Sequence, residues 1–270
     1  MGLRIQNNIE AFNTHRQLTA TSVQASKSME KLSSGYRINR AADDAAGLAI
    51  SEKMRGQIGG VAQAQRNAQD GVSLVQTGEG ALNEVHSMLQ RIRELKVQFD
   101  NGTLSTSDKT AIQSEVTQLQ GEVARIGSQT TFNDVALLTG TSTITFQIGG
   151  DDGQTLQVST IDLYGSGGAI DPAIFSFGTS AGISSIDAAI DNVSSARGTF
   201  GSVQNRLEHT INNLATFEEN LQASESRIRD VDMAAEMVSL TKLQILQQAG
   251  TAMLAQANQL PQSVLTLLRG

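Results

Sequence analysis

The sequence predicts a mainly α protein: a long coiled-coil helical bundle with a β-hairpin insertion, its N- and C-terminal helices paired. Three observations predict it. Apolar residues recur at seven-residue spacing through both halves of the chain. Proline is absent from residues 1–171, and only Pro172 and Pro261 occur in 270 residues, so helices can run long. Between the halves lies a glycine-rich stretch in which two short runs alternate polar and apolar side chains.

Taken in order, the N-terminal stripe is thin: Ala11, Leu18, Ala25 and Leu32, with Ile5, Ile9 and Phe12 nearby. A second stripe follows in Val75, Leu82 and Leu89 with Val85, Ile92 and Phe99, and a third in Ile112, Val116, Leu119, Val123 and Ile126. Residues 140–182 hold nine of the 25 glycines and only four charged residues, all Asp, which marks an insertion between helical halves. Within it Thr143–Ile148 and Thr155–Ser159 alternate around the turn-rich Gly149–Gly153, the pattern of a β-hairpin near 142–160. Residues 161–182 read as loop and turn, with a short strand expected near Ile174–Phe177. The unbroken series Ile186, Val193, Phe200, Leu207, Leu214, Leu221 and Ile228 is a sustained heptad repeat. These central stripes are expected to bury one another within the chain.

The C-terminal stripe pairs Leu243, Gly250, Ala257 and Val264 with Leu246, Met253, Leu260 and Leu267. An arm of about 40 helical residues spans roughly 60 Å and buries little unless it meets another arm. Two such arms from one chain can pair, but seams rich in Ala and Gly are thin. The terminal pair is therefore expected to be marginal alone and completed by neighbouring copies.

Composition narrows the function. Aromatic residues make up 4%, Trp is absent, and so is Cys, which removes disulfides, zinc thiolates and cysteine nucleophiles. No Lys or Arg falls between Arg125 and Arg197, where seven Asp sit, so the net charge of −7 belongs to the middle and the flanks balance. That acidic middle is expected to face solvent. Neither a basic tract for nucleic acid nor a polybasic arm for a membrane is present. The first 30 residues lack the pattern of a conventional secretory signal, and no stretch approaches the about 18 apolar residues of a membrane span. These signs alone would place the protein in the cytoplasm.

Reactive constellations are not evident. His15, His86 and His209 each lie on a helical stretch without a second ligand at i+3 or i+4. Asp43-Asp44 suits a helix start or the surface better than a shared proton. There is no HExxH, phosphate loop or nucleophile elbow, and Gly78-Glu79-Gly80 follows no strand. No catalytic residue, metal or cofactor is expected. Asn101-Gly102-Thr103 and Asn192-Val193-Ser194 match the short sequon for N-glycosylation.

Residues 31–58 (KLSSGYRINRAADDAAGLAISEKMRGQI) closely resemble the N-terminal signature of bacterial flagellins. Residues 204–213 (QNRLEHTINN), 225–233 (ESRIRDVDM) and 253–269 (MLAQANQLPQSVLTLLR) resemble that family's C-terminal half. The similarity covers about residues 3–165 and 183–269. It implies a terminal assembly domain, D0, from 1–44 and 231–270, and a helical rod, D1, from 45–230. Too few residues remain for the family's outer domains. It also implies a non-enzymatic subunit that polymerises into the flagellar filament for motility. Assembly residues would be Ile5, Ala11, Leu18, Ala25, Leu32, Leu243, Leu246, Met253, Ala257, Leu260, Val264 and Leu267.

The resemblance further implies export through the flagellar type III channel without a cleaved signal. Implied partners are identical subunits, an export chaperone, the filament cap, the hook–filament junction proteins and the animal flagellin-sensing Toll-like receptor. For that receptor, residues 90–95 (QRIREL) are similar to the recognised helix, with Arg91, Leu95 and Glu115 at matching positions and Leu95 expected to be partly exposed. Phe132-Asn133-Asp134 stands where the family usually has Phe-Asn-Gly. Two other readings are a hook–filament junction protein, disfavoured by the near-complete run of motifs, and a flagellin carrying a protease, for which the zinc motif is missing.

Overall fold

The computed structural model describes residues 7–140, 142–164, 168–177 and 182–269, with side chains described through residue 259. The described residues form five helices: α1 (Ile9–Ser34), α2 (Ala45–Phe99), α3 (Thr106–Gln129), α4 (Ile183–Arg229) and α5 (Met233–Arg269). Two small antiparallel pairs lie between α3 and α4: β1 (Thr131–Phe132) with β2 (Val135–Ala136), and β3 (Thr143–Gln147) with β4 (Thr155–Ser159). Backbone contacts divide the chain into a unit of residues 1–56 with 221–270 and a unit of residues 57–220. Helices α2 and α4 contribute to both.

Local chemistry sets the helix ends. The Asn8 side chain accepts from the Ala11 amide at the start of α1. Ser105 and Asp108 form a capping box on α3, each satisfying the other's free amide. Asp44 and Asp232 take the amides of Gly47 and Ala235 at the starts of α2 and α5. Asp44 thus has the helix-start role expected of the Asp43-Asp44 pair. Helix α1 stops at Gly35, whose φ of 76° is left-handed and natural to glycine, with its N–H bonded to the Lys31 carbonyl.

In the 57–220 unit most heptad positions enter one core, while Leu214 packs in a separate small cluster with Val61 and Ala64. Val75, Leu82, Val85, Leu89, Ile92, Val116, Val123, Ile186, Val193, Phe200 and Leu207 are all buried in a single cluster. The hairpin falls where the alternation places it, with Ile144 opposite Val158 and Phe146 opposite Leu156. Leu156 and Val158 enter the same cluster, so the strands lie on the helices through one face. The β1–β2 turn uses Asn133 at φ 49° and Asp134 at φ 62°, two left-handed positions in a two-residue hairpin.

The 161–182 stretch differs from its loop reading. Leu163, Ile170, Ile174, Phe175 and Phe177 are core residues. Residues Pro172–Phe175 form a 3-10 turn, where a strand near Ile174–Phe177 was expected. Asp171 caps that turn, and Pro172 fits its first position because it needs no amide partner there. The Gln113 side chain fixes the segment to α3, donating to the Phe175 carbonyl at 2.8 Å and accepting from the Phe177 amide at 3.2 Å. Lys96 lies buried over the rings of Phe99 and Phe177, with Asp100 as its ion partner. The acidic middle therefore supplies part of the apolar core, with its apolar side chains turned inward.

Candidate functional site

The unit built from the two chain ends has two parts. The first is a joint between the α1–α2 turn and the α4–α5 turn. The Arg37 amide donates to the Arg229 carbonyl at 2.7 Å, and the Val231 amide to the Gly35 carbonyl at 3.0 Å. The Arg37 guanidinium reaches the Ile228 carbonyl, and Arg229 reaches Glu52 at 2.6 Å while covering the Tyr36 ring at 4.8 Å. The bond from Arg229 holds Glu52 below the ordinary carboxylate range, and the backbone N–H of Arg40 does the same for Asp43. Ile38, 1% exposed, fills the turn from beneath. Residues 31–58 and 225–233, prominent in the sequence, thus build this joint.

The second part is the α1–α5 pair. Its seam is small: Thr21, Ala25 and Ser28 on α1 and Leu243 and Ala257 on α5 are buried, with Ala11, Leu18 and Leu32 half-buried. At Gly250 the helices come so close that a methyl group there would meet Leu18 at 3.2 Å. The Asn8 amide spans the pair to the Ala257 carbonyl at 2.7 Å, and Lys31 approaches Glu236 at 4.0 Å.

The residues expected to act in assembly are thereby sorted. Ala11, Leu18, Ala25, Leu32, Leu243 and Ala257 face the intramolecular seam to varying depth. Leu246 and Met253, the other row of α5, stay 47% and 59% exposed. Ile5 lies outside the described residues, as do the side chains of Leu260, Val264 and Leu267. Heptad reading passed over Val23, Met29, Met233, Met237, Val238 and Ile245, all exposed. Their signal was available as large apolar residues off the stripe, on faces that should be polar. Of the fifteen exposed large apolar residues among those described, twelve lie in this unit, which holds fewer than half of the residues. Such concentration is more than the scattered single apolar residues of an ordinary water-facing surface.

In the 57–220 unit, Arg91 on α2 donates to Glu115 on α3 at 2.9 and 3.1 Å and to Glu94 at 3.2 Å. Glu115 first, then Glu94, raises the Arg91 pKa. Both partners of the interhelical pair remain about half exposed. Leu95 corrects the expectation of partial exposure: it is 1% exposed and belongs to the core. Three and four residues from Ile92 and Phe99, it shares their inward face. A shallow groove beside the hairpin turn is lined by Val61, Ile148, His209, Leu214 and Phe217. Among the described residues no group of three His, Asp or Glu could hold a metal ion, and no helix is long and apolar enough to cross a membrane.

Comparison with known proteins agrees with this arrangement. Residues 5–143 match the family model of the bacterial flagellin N-terminal helical region, and residues 183–268 match that of the bacterial flagellin C-terminal helical region. The chain is 53% identical to the flagellin of Halalkalibacterium halodurans, over 98% of this chain and 99% of that one. It is 48% identical to the flagellin of Bacillus subtilis, over 99% and 100%. A solved structure of a putative flagellar hook-associated protein from Vibrio parahaemolyticus shares the fold alone, at 14% identity and a TM-score of 0.59, over 70% of this chain and all of that one. The chain belongs to the bacterial flagellin family, the structural proteins of the flagellar filament.

Proposed function

We propose that this chain polymerises through the exposed faces of α1 and α5, which become the buried interior of a flagellar filament. One observation carries the reading: the clustering of exposed large apolar side chains on the terminal unit. Burying a half-exposed Leu, Met or Phe contributes about 1 kcal/mol. The ten such residues on α1 and α5 contribute on the order of 10 kcal/mol, within the range of about 4–15 kcal/mol that association costs. A single pairwise contact therefore gains little, whereas a helical polymer, in which each subunit meets several copies, accumulates the gain. The balanced charge of the flanking segments suits such self-packing.

The same reading includes export through the flagellar type III channel and handling by an export chaperone. Growth would occur beneath the filament cap, from a base of hook–filament junction proteins. The family similarity along nearly the whole chain supports the filament subunit over a junction protein. Recognition by the flagellin-sensing Toll-like receptor is part of the proposal. Arg91 and Glu115 offer an exposed, ordered ion pair for contact, while buried Leu95 supports the helix from within.

Truncation tests the assembly reading. Removing residues 243–270 takes away Leu246 and Met253 as well as the seam residues Leu243, Gly250 and Ala257. Seeded polymerisation should be abolished while the 57–220 bundle keeps its helical circular dichroism. Filament growth by the truncated monomer at the rate of the full chain would overturn the reading. For the receptor, Arg91→Ala monomers should signal less than wild type, and an unchanged response removes Arg91 from the contact.

A further inference from the structure

The exposed apolar face has an uncommon chemical bias. Of the six methionines with described side chains, Met29, Met233, Met237 and Met253 are 52%, 49%, 51% and 59% exposed, whereas Met54 and Met88 are half-buried among helices. All four belong to the terminal unit and make up a third of its exposed large apolar residues. The chain has no cysteine, so no thiol intercepts an oxidant before these thioethers do. Met233 and Met237 stand one turn apart on the same side of α5.

We propose that Met29, Met233, Met237 and Met253 are oxidation sites that make the free subunit sensitive to peroxides, and that sulfoxide formation there blocks polymerisation. The inference rests on the assembly face argued above. In the step itself a sulfur lone pair attacks one peroxide oxygen. The S–O bond forms as the O–O bond breaks, the sulfur is oxidised by two electrons, and the departing oxygen leaves as water after taking up the proton. The product is a polar sulfoxide where the subunit interface requires an apolar group. A sulfoxide oxygen enclosed by neighbouring apolar side chains lacks the hydrogen bonds that water gave it. The exposed oxygen leaves the folded monomer undisturbed, so the lesion acts at association. Once the face is enclosed in a polymer, peroxide no longer reaches the four sulfurs.

The test uses the full-length chain and hydrogen peroxide. Monomers are treated, mapped by peptide mass for one added oxygen at each of the four positions, checked for unchanged helical circular dichroism, and supplied to filament seeds. The critical concentration for growth should rise roughly tenfold or more for sulfoxides buried without partners. Reduction of the same sample by methionine sulfoxide reductases should restore growth. Preformed filaments given the same dose should remain unoxidised at these positions. A chain carrying Met237→Leu and Met253→Leu, each sample compared with its own untreated growth, should lose a smaller fraction of that growth on treatment than wild type does. Untreated-rate growth by chains oxidised at all four sites, or growth that stays lost after full reduction, overturns the inference. Failure of untreated wild-type chains to grow from seeds would instead sink the assembly reading itself.

Discussion

Ile92 and Arg91 are adjacent in sequence, yet the structure gives them opposite consequences. Ile92 is fully buried in the cluster that joins α2, α3 and α4, whereas the Arg91 side chain is about half exposed in its ion pair with Glu115. Replacing Ile92 with Ala removes three buried carbons and leaves a cavity, a loss of about 2–5 kcal/mol at a closed site. Taking about 3 kcal/mol, and roughly 2–4 °C per kcal/mol for a unit of this size, the melting temperature should fall by about 6–12 °C. Arg91→Ala removes a solvent-screened pair and opens no cavity, so its melting temperature should stay close to wild type. Thermal unfolding of purified monomers, followed by far-ultraviolet circular dichroism, measures both. Similar melting temperatures for the two variants would refute this packing of α2, and a large drop for Arg91→Ala alone would reverse the assignment.

Other substitutions probe other elements. Asp134→Gly should stabilise the monomer by about 0.5–1 kcal/mol, because Gly occupies the left-handed second turn position without strain; a raised urea midpoint at constant slope would report it. Phe175→Ala should destabilise by about 3–5 kcal/mol, since the ring is 1% exposed; thermal behaviour close to wild type would return the segment to a surface loop. Asp43 and Glu52 are held below the ordinary values of 3.8 and 4.5, so their stabilisation is present above those values and is lost as pH falls through the lower folded ones. Hydrogen-exchange protection of the Arg37 and Val231 amides should therefore decline in acid, and Asp43→Asn combined with Glu52→Gln should flatten that decline.

The parts legible in the sequence were those with a period. Seven-residue spacing marked the buried rows of α2, α3 and α4, and two-residue alternation located the β3–β4 register. Segments without a period were misread. Leu163, Ile170, Ile174, Phe175 and Phe177 are core residues in irregular backbone, where spacing carries no information about direction. Leu95 failed for a related reason: a single stripe implies one buried face, but its helix is buried more broadly than one row. For the assembly surface, the heptads of α5 showed two apolar rows. They could not show that Leu243 and Ala257 would meet α1 while Leu246 and Met253 stayed outside. That choice depends on how closely Gly250 lets Leu18 approach, a tertiary fact.

The central claim is that the exposed face of the terminal helices is an interface between copies. Cryo-electron microscopy of filaments grown from the purified chain tests it most directly. Phe12, Val238, Ile245, Leu246 and Met253, between 47% and 72% exposed in the single chain, should each be enclosed by side chains of neighbouring subunits. A filament in which these five residues still face water, with subunits held together only through residues 57–220, would contradict it.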